Sequence, residues 1–330
     1  FAVSIKLIVI RNIAWQSHYS QYNYSCKYQR YEKKSNMSKI IIKTVLILFS
    51  FLSFTLSAEE KPNVVLIVFD DLGYGDIEGF SLNEVKAKTP RLNQLAKQGV
   101  KLTHFLVTAP YCAPSRSSIF TGRYPFRTGM VFNPAPDQGI DGGMSSSEIT
   151  IPEVLKTNGY DTYGIGKWHL GHKPGFLPTQ QGFDQYYGIL YSNDMRPVQL
   201  VENQAVVEYP VEQATLTEKY TQKAISYIEQ SVENDKPFFL YLGHAMPHKP
   251  LAASARFHTP DTPDDIYQDV IRELDYNIGV LLDTLKKFEV EQNTLVIVMS
   301  DNGGSFGGNN GGLRGKKAVT FDGGLRVPFI

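Results

Sequence analysis

The sequence predicts an α/β fold, a sandwich with a mostly parallel central sheet. From Pro62 onward, short apolar runs typical of β-strands alternate with segments whose apolar residues recur at helical spacing. The strand-like runs, such as NVVLIVF at 63–69 and FFLYLG at 238–243, are apolar without alternation. A run of this kind is expected of a strand that is buried on both faces, as in a parallel sheet.

The helical segments carry start and stop signals. Residues 89–99 read Thr-Pro, an amphipathic stretch and Gly, which predicts a helix with a threonine cap, a proline in its first turn and a glycine at its end. Thr150 and Glu153 have the spacing of a capping box. Helices predicted at 218–232 and 266–288 each lead into an apolar strand, so the alternation continues through the second half of the sequence.

The amino-acid composition limits the classes of protein to which this sequence can belong. The chain has 330 residues, 42% apolar and 20% charged, so it can bury a large core and disorder is not expected. Its 33 Lys and Arg are balanced by 33 Asp and Glu. A nucleic-acid partner is not expected, because the sequence offers no basic stripe for phosphates.

The first residues are interpreted as targeting sequence. Residues 1–36, rich in Tyr and Lys, are predicted to be translated upstream sequence, and residues 37–58 a secretory signal peptide. That peptide has Lys39 and Lys43, then an apolar run at 45–56, then small residues. The run is short for a membrane span, so we expect no stable membrane anchor. An uncleaved anchor is the alternative, because the bulky Leu56 lies near the cleavage point.

The predicted location is outside the cytoplasm: periplasmic or secreted, or lysosomal in a eukaryote. Residues 61–330 then form the domain of the exported protein. The full sequence has two cysteines, Cys26 and Cys112, and only Cys112 would remain after export. A single thiol in an oxidising compartment cannot form an internal disulfide and requires another explanation.

Polar residues follow four of the predicted strands. They are Asp70-Asp71, Lys167 with His169, His244 with His248, and Asp301-Asn302. In an open α/β sheet, ligands bind beyond the carboxyl ends of the strands. Each group taken alone is equally typical of a turn, a helix cap or a structural histidine, but four coincidences favour a shared site.

The residue types indicate the chemistry of that site. Carboxylate and amide oxygens suit Ca²⁺, or Mg²⁺, better than zinc. Cys112 precedes a short helix predicted at 115–121, and Arg116, Lys167 and Lys317 add positive charge, as a sulfate or phosphate pocket requires. A thiolate is a soft ligand beside a hard cation, so the working atom at position 112 is predicted not to be sulfur.

The stretch CAPSRSSIFTG at 112–122 resembles the C-x-P-S-R-x-x-x-x-T-G signature of the type I sulfatases. GIGKWHLG at 164–171 resembles the second signature of that family, and YSNDM, PHKP, SDNGG and LRGKKAVTFDGGLR add to the resemblance. It points to the arylsulfatase A-like and N-acetylgalactosamine-6-sulfatase-like branch and implies an alkaline-phosphatase-like fold. Family members continue into a smaller C-terminal subdomain, so we expect that part to be missing after residue 330.

The resemblance also implies roles for individual residues. Cys112 would be oxidised to formylglycine (3-oxoalanine) by a formylglycine-generating enzyme, and Arg116 would hold its hydrate. The Ca²⁺ ligands would be Asp70, Asp71, Cys112, Asp301 and Asn302. The sulfate contacts would come from Lys167, Lys317 and Ser192, with His169 beside the hydrate and His248 facing the leaving oxygen. Spacing favours Lys317 over Lys316, which could compete for the sulfate contact. His248 is preferred to His244 because it precedes Lys249-Pro250 in the PHKP stretch.

The predicted function is hydrolysis of sulfate esters, with sulfated carbohydrates as the favoured substrates. One hydrate hydroxyl would attack sulfur, His248 would protonate the leaving alcohol, and His169 or Asp301 would deprotonate the second hydroxyl. Two alternatives remain at this stage. One is a phosphonate or phosphate ester hydrolase of the same fold, and the other is a non-catalytic binder of sulfated glycans.

Overall fold

The computed structural model describes residues 61–81, 85–259 and 266–330. The predicted upstream segment and signal peptide lie outside these residues. Residues 61–330 belong to one compact unit. Within the described ranges, no helix has the length and apolar character needed to cross a membrane.

One sheet organises the described residues, and it confirms the predicted α/β class. Its seven strands have the order β5-β4-β3-β2-β6-β1-β7. They are β1 (Asn63–Phe69), β2 (Asp161–Lys167), β3 (Gln185–Ile189), β4 (Leu200–Glu202), β5 (Ala205–Glu208), β6 (Phe238–Gly243) and β7 (Thr294–Ser300). All pairings among β3, β2, β6, β1 and β7 are parallel, while β4 and β5 add an antiparallel edge.

Helices cover both faces of the sheet. Those of the described ranges are α1 (Pro90–Gln98), α2 (Cys112–Thr121), α3 (Pro125–Thr128), α4 (Ile151–Thr157), α5 (Leu216–Glu233), α6 (Ile266–Lys287) and α7 (Asp322–Leu325). The residues of β1 alternate between two cores: Val65 and Ile67 pack with α1, α5 and α6, whereas Leu66 and Val68 pack with α2. This strand is therefore buried on both faces, as its unbroken apolar run predicted.

Local signals place most helix ends correctly. The capping box of Thr150 and Glu153 is present, and Pro90 occupies the first turn of α1, although Thr89 makes no side-chain cap. The start predicted for α2 is wrong, because the helix begins at Cys112 and not at Ser115. Pro114 is accommodated since the first N–H groups of a helix have no partner within it.

Residues 326–330 do not form a regular strand, although RVPFI has the apolar character of one. They make only isolated bridges, Leu106 with Arg326 and Met299 with Phe329. Pro328 lies between the two bridged residues, and a proline has no N–H to contribute to a strand ladder.

A row of glycines brings three strands close together just before Lys167. Gly166 pairs with Gly188 of β3 and with Gly243 of β6. It has a φ of 90°, and a Cβ added there would lie 1.9 Å from the carbonyl oxygen of Gly243. Only glycine fits this position, which sets the backbone that carries Lys167 into the site.

Gly166→Ala is therefore expected to destabilise the protein by about 3 kcal/mol or more, since both backbone strain and a backbone clash result. The matched control is Gly175→Ala, where φ is 92° but no atom lies within 4 Å of the added Cβ. Strain alone predicts a loss of about 1–2 kcal/mol there. Denaturant unfolding of both variants measures the difference, and equal losses would contradict the clash.

Candidate active site

The structure brings the four predicted strand ends to one edge of the sheet. Strands β2, β6, β1 and β7 are neighbours in that order, so the residues at their carboxyl ends lie side by side. Lys167 is the last residue of β2 rather than the first residue after it. Parallel strands that pair directly deliver their ends to the same place, which explains why the sequence pattern identified the edge.

Three buried carboxyl groups and one thiol form the centre of the site. Ligand atoms of Asp70, Asp71, Cys112 and Asp301 all lie within 4.8 Å of one another. Burial raises the pKa of Asp301 to about 7; the nearby Arg116 opposes this shift, while the charges of Asp70 and Asp71 add to it. Carboxylates crowded in this way attract a cation.

Asn302 completes the oxygen-rich group. Its Nδ2 donates to Oδ1 of Asp71 at 2.7 Å, while its buried Oδ1 has no hydrogen-bond partner among the described residues. A buried carbonyl oxygen without a partner is unusual and suggests an absent ligand. The donor set is oxygen-rich and acidic, so it fits Ca²⁺ or Mg²⁺.

Two lysines neutralise the acidic group. Lys167 Nζ lies 2.5 Å from Oδ2 of Asp70, and Lys317 Nζ lies 2.6 Å from Oδ1 of Asp71 and 3.2 Å from Sγ of Cys112. Lys316 is exposed, so the geometry agrees with the choice of Lys317. Burial of Asp70 disfavours its charge, but Lys167 and the other nearby positive groups hold its pKa well below the usual range.

Arg116 is fully buried and connects three elements. Its Nε donates to Oδ2 of Asp301 at 2.9 Å, and its Nη1 donates to the carbonyl oxygen of Lys167 and to the hydroxyl of Tyr241 at 2.6 Å. Its Nη2 has no hydrogen-bond partner among the described residues. Sequence reasoning missed Tyr241, because in FFLYLG it has the pattern of a core residue.

Cys112 is a poor nucleophile in its unmodified state. Burial raises the pKa of its thiol, and the charge of Asp70 raises it further. The thiol donates to Oδ1 of Asp70 at 3.2 Å. It therefore stays protonated at neutral pH, whereas nucleophilic cysteines have a lowered pKa.

The two histidines of the site have defined orientations. Nδ1 of His248 lies 3.0 Å from Oδ1 of Asn193 and 2.6 Å from the carbonyl oxygen of Lys249, so Nδ1 carries a proton and Nε2 faces Asp71. Nε2 of His169 contacts the carbonyl oxygen of Pro134 at 3.1 Å, and its Nδ1 is buried without a partner among the described residues. Burial lowers the pKa of both rings.

Asn193 also escaped sequence reasoning, although it directly follows Ser192 in YSNDM. Ser192 accepts a hydrogen bond from Nζ of Lys167 at 3.0 Å. Asn193 is itself held by Gln213, which donates to its carbonyl oxygen at 2.7 Å. The segment thus contacts both a lysine and a histidine of the site.

A cavity of about 500 Å³ leads to Cys112. His169, Ser192 and His248 also line it. His244 does not line it; its ring stacks on Phe69, and neither ring nitrogen has a partner among the described residues. This arrangement agrees with the choice of His248 over His244.

A mostly parallel seven-stranded sheet with helices on both faces and a polar site at its carboxyl edge is the architecture of the alkaline-phosphatase-like α/β proteins. The chain belongs to the sulfatase family, whose family model matches residues 62–330. This match confirms the family that the sequence signatures predicted.

Curated relatives and solved structures agree with the family. Mus musculus N-acetylgalactosamine-6-sulfatase is 35% identical over 314 residues, which are 87% of this chain and 60% of that protein. Rattus norvegicus arylsulfatase G is 34% identical over 335 residues, 86% of this chain and 62% of that protein. This chain therefore spans about 60% of the length of these relatives. The crystal structure of Ps i-CgsB matches with a TM-score of 0.73 and 33% identity, over 82% of this chain and 65% of that one.

The acidic group predicts calcium-dependent stability. Calcium at 100 times its dissociation constant would add about 2.7 kcal/mol to the free energy of unfolding and raise the Tm. Asp301→Ala should abolish this increase, while Glu229→Ala, an exposed acid on α5, should retain it. Thermal unfolding with and without calcium measures both. An equal calcium-dependent shift in the Asp301 variant would exclude this residue as a ligand.

His244 predicts a loss of stability in acid. Burial lowers its pKa from 6.5 to about 3, so between these values only the unfolded chain takes up the proton. The native state should lose about 2 kcal/mol from this residue as the pH falls from 6.5 to 5. His244→Phe should not show that loss. His104→Gln, which removes an exposed histidine, should show the same loss as the wild type. Parallel curves of unfolding free energy against pH for all three proteins would contradict the prediction.

Proposed function

We propose that this protein hydrolyses sulfate esters of carbohydrates, using formylglycine derived from Cys112 and a Ca²⁺ ion. One observation carries the proposal: Cys112 lies in the family signature, at the base of a cavity, in contact with both Asp70 and Lys317. Its protonated thiol is unsuited to attack sulfur directly, so the position requires conversion. The formylglycine-generating enzyme is the partner for that step.

Asp70, Asp71, Asp301 and Asn302 would hold the Ca²⁺ ion, or Mg²⁺, together with the modified residue 112. The bound cation would supply positive charge that stabilises negative charge on the sulfate oxygens. Both candidate metal groups among the described residues share Asp70 and Cys112, which favours one metal ion. A two-metal phosphatase would need a second set of ligands, so this observation favours the sulfatase over the phosphatase alternative.

The aldehyde of formylglycine, when hydrated, supplies one hydroxyl as a nucleophile and a second whose deprotonation releases sulfate. Lys167 and Lys317 bind and orient the sulfate, and Ser192 holds Lys167 in place. The free Nη2 of Arg116, on the side of Asp70, is available to hold the modified residue. These donors are in position before substrate binds, which reduces the cost of reorganisation.

Proton transfer is assigned to the two histidines. Nδ1 of His248 already donates to Asn193 and Lys249, so Nε2 is the nitrogen that can take up a second proton. In that imidazolium form, Nε2 would pass the proton to the leaving alcohol. His169 is favoured over Asp301 as the base, because both oxygens of Asp301 already accept hydrogen bonds, from Asp71 N and Arg116 Nε. Nδ1 of His169 is a free acceptor in the same cavity.

Two further features support the substrate and the location. N-acetylgalactosamine-6-sulfatase is named for a sulfated sugar. Ps i-CgsB has been crystallised in complex with an oligosaccharide, k-i-k-neocarrahexaose. The predicted signal peptide at 37–58 supports export to the periplasm or the exterior.

The test is hydrolysis of p-nitrophenyl sulfate and p-nitrophenyl phosphate by full-length protein produced with a formylglycine-generating enzyme. The sulfate should be the better substrate, and Cys112→Ala should reduce its turnover by at least about 10⁴-fold, since the nucleophile is lost. Cys112→Ser should also be inactive, because a single hydroxyl cannot complete the release of sulfate.

Mass analysis of the peptide spanning residue 112 provides the control. An aldehyde that a hydrazide traps, and that is absent without the converting enzyme, is expected in active protein. A fully active preparation with an intact thiol would overturn the formylglycine assignment. Binding of sulfated glycans by converted protein, with no turnover of any sulfate ester, would instead support the non-catalytic binder.

A further inference from the structure

The mouth of the cavity has an apolar wall that no described residue covers. Tyr111, Val131, Phe132 and Ile140 line it, and each is between 36% and 53% exposed. Apolar side chains gathered at a cavity mouth form a contact surface for a ligand. This wall lies beyond the groups that would hold the sulfate.

The wall is held in a defined position. Ala135 and Ile140 exchange two backbone hydrogen bonds, of 2.9 and 3.0 Å, which close the loop between them. Oδ1 of Asn133 accepts from the backbone N–H of Ala113 at 3.0 Å, and this bond joins the loop to the first turn of α2. The contact of His169 with Pro134 ties the same loop to the site. A wall supported at three points can present its side chains reproducibly.

Asp194 is the other feature of the mouth. It lies in a turn closed by the N–H of Met195 and the carbonyl oxygen of Ser192, at 3.1 Å. Its side chain is exposed, and no described residue pairs with its carboxylate. Among the described residues that line the cavity, Asp194 is the only Asp, Glu, Lys or Arg. Arg196, two residues further on, does not line it.

The charge therefore differs between the two ends of the cavity. Lys167 and Lys317 lie directly behind its inner lining, in contact with Ser192 and Cys112, and they favour one anionic group there. At the mouth, a single carboxylate disfavours a second anion and favours a hydroxyl donor, because a hydrogen bond to a charged acceptor is stronger than one between neutral groups. Selectivity of this kind comes from repulsion of the wrong ligand as well as attraction of the right one.

We propose that this cavity takes a monosulfated pyranose that is otherwise neutral. An apolar face of the ring packs on Phe132 and Tyr111, and a ring hydroxyl donates to Asp194. A second sulfate or a carboxylate on the same sugar is repelled by Asp194. The inference rests on the proposed function and names the substrate class for it.

The experiment compares first-sulfate release from three compounds by converted, full-length protein. The first is p-nitrophenyl sulfate and the third is N-acetylgalactosamine 4,6-disulfate. The second is an N-acetylgalactosamine monosulfate, either the 4-O or the 6-O ester, whichever the enzyme hydrolyses faster. The monosulfate should exceed the disulfate in kcat/KM by about tenfold or more, the size expected of one like-charge contact near the surface. Asp194→Asn should bring the ratio close to one, since the amide keeps the shape and removes the charge.

The matched control is Asp235→Asn. Asp235 is exposed and precedes β6, so it lies at the amino ends of the strands, away from the site. This variant should keep the wild-type ratio.

Four results would count against the inference. Equal hydrolysis of the two sugars by the wild type, or an unchanged ratio in Asp194→Asn, would overturn it and leave the proposed function standing. Hydrolysis of p-nitrophenyl sulfate with neither sugar accepted would show that the apolar wall takes an aryl group. Failure to hydrolyse all three would overturn the proposed function, and the inference with it.

Discussion

The structure depends on balancing charges that have been removed from water. Asp70, Asp71 and Asp301 are all buried at one sheet edge, and their mutual repulsion would be costly without compensation. Lys167, Lys317 and Arg116 supply fixed positive charge from three separate segments. Burial is the main cause of the raised pKa of Asp301, and the charges of Asp70 and Asp71 add to it. A divalent cation beside the three carboxylates would favour their charged form.

The backbone around this edge is shaped to bring the charged groups together. Gly166 and Gly243 let β2 and β6 approach so closely that an added methyl group would collide with a carbonyl oxygen. Asp71 and His169 both have positive φ, of 65° and 61°, although neither is glycine. Such backbone geometry is unfavourable for these residues and is maintained by the surrounding contacts. Both belong to the candidate active site, where strain of this kind is typically found.

The two ends of the cavity differ in chemical character. Its base ends at Cys112, which contacts the buried Asp70 and Lys317, and is suited to one oxyanion ester. Its mouth combines half-exposed apolar side chains with Asp194, and is suited to the remainder of a substrate. The base lies within signatures shared with the family. At the mouth, residues 131–140 lie between those signatures, whereas residues 192–195 belong to YSNDM, which is part of the resemblance. Family membership therefore indicates the chemistry at the base, and the residues at the mouth carry the inference about the substrate.

The sequence by itself determined the α/β class and the sheet edge that carries the site, because buried parallel strands are unbroken apolar runs and the residues that follow them are adjacent in sequence. It also identified Asp70, Asp71, Asp301 and Asn302, which directly follow β1 and β7. The choices of Lys317 over Lys316 and of His248 over His244 are predictions from the sequence, and the tertiary structure supports them. Lys317 and His248 approach Asp71, whereas Lys316 is exposed and His244 stacks on Phe69. Lys317 reaches Asp71 across 246 positions of the chain. Tyr241, Asn193 and Asp194 were assigned by the fold alone, because their partners and the cavity around them come from segments that are brought together only when the sheet forms.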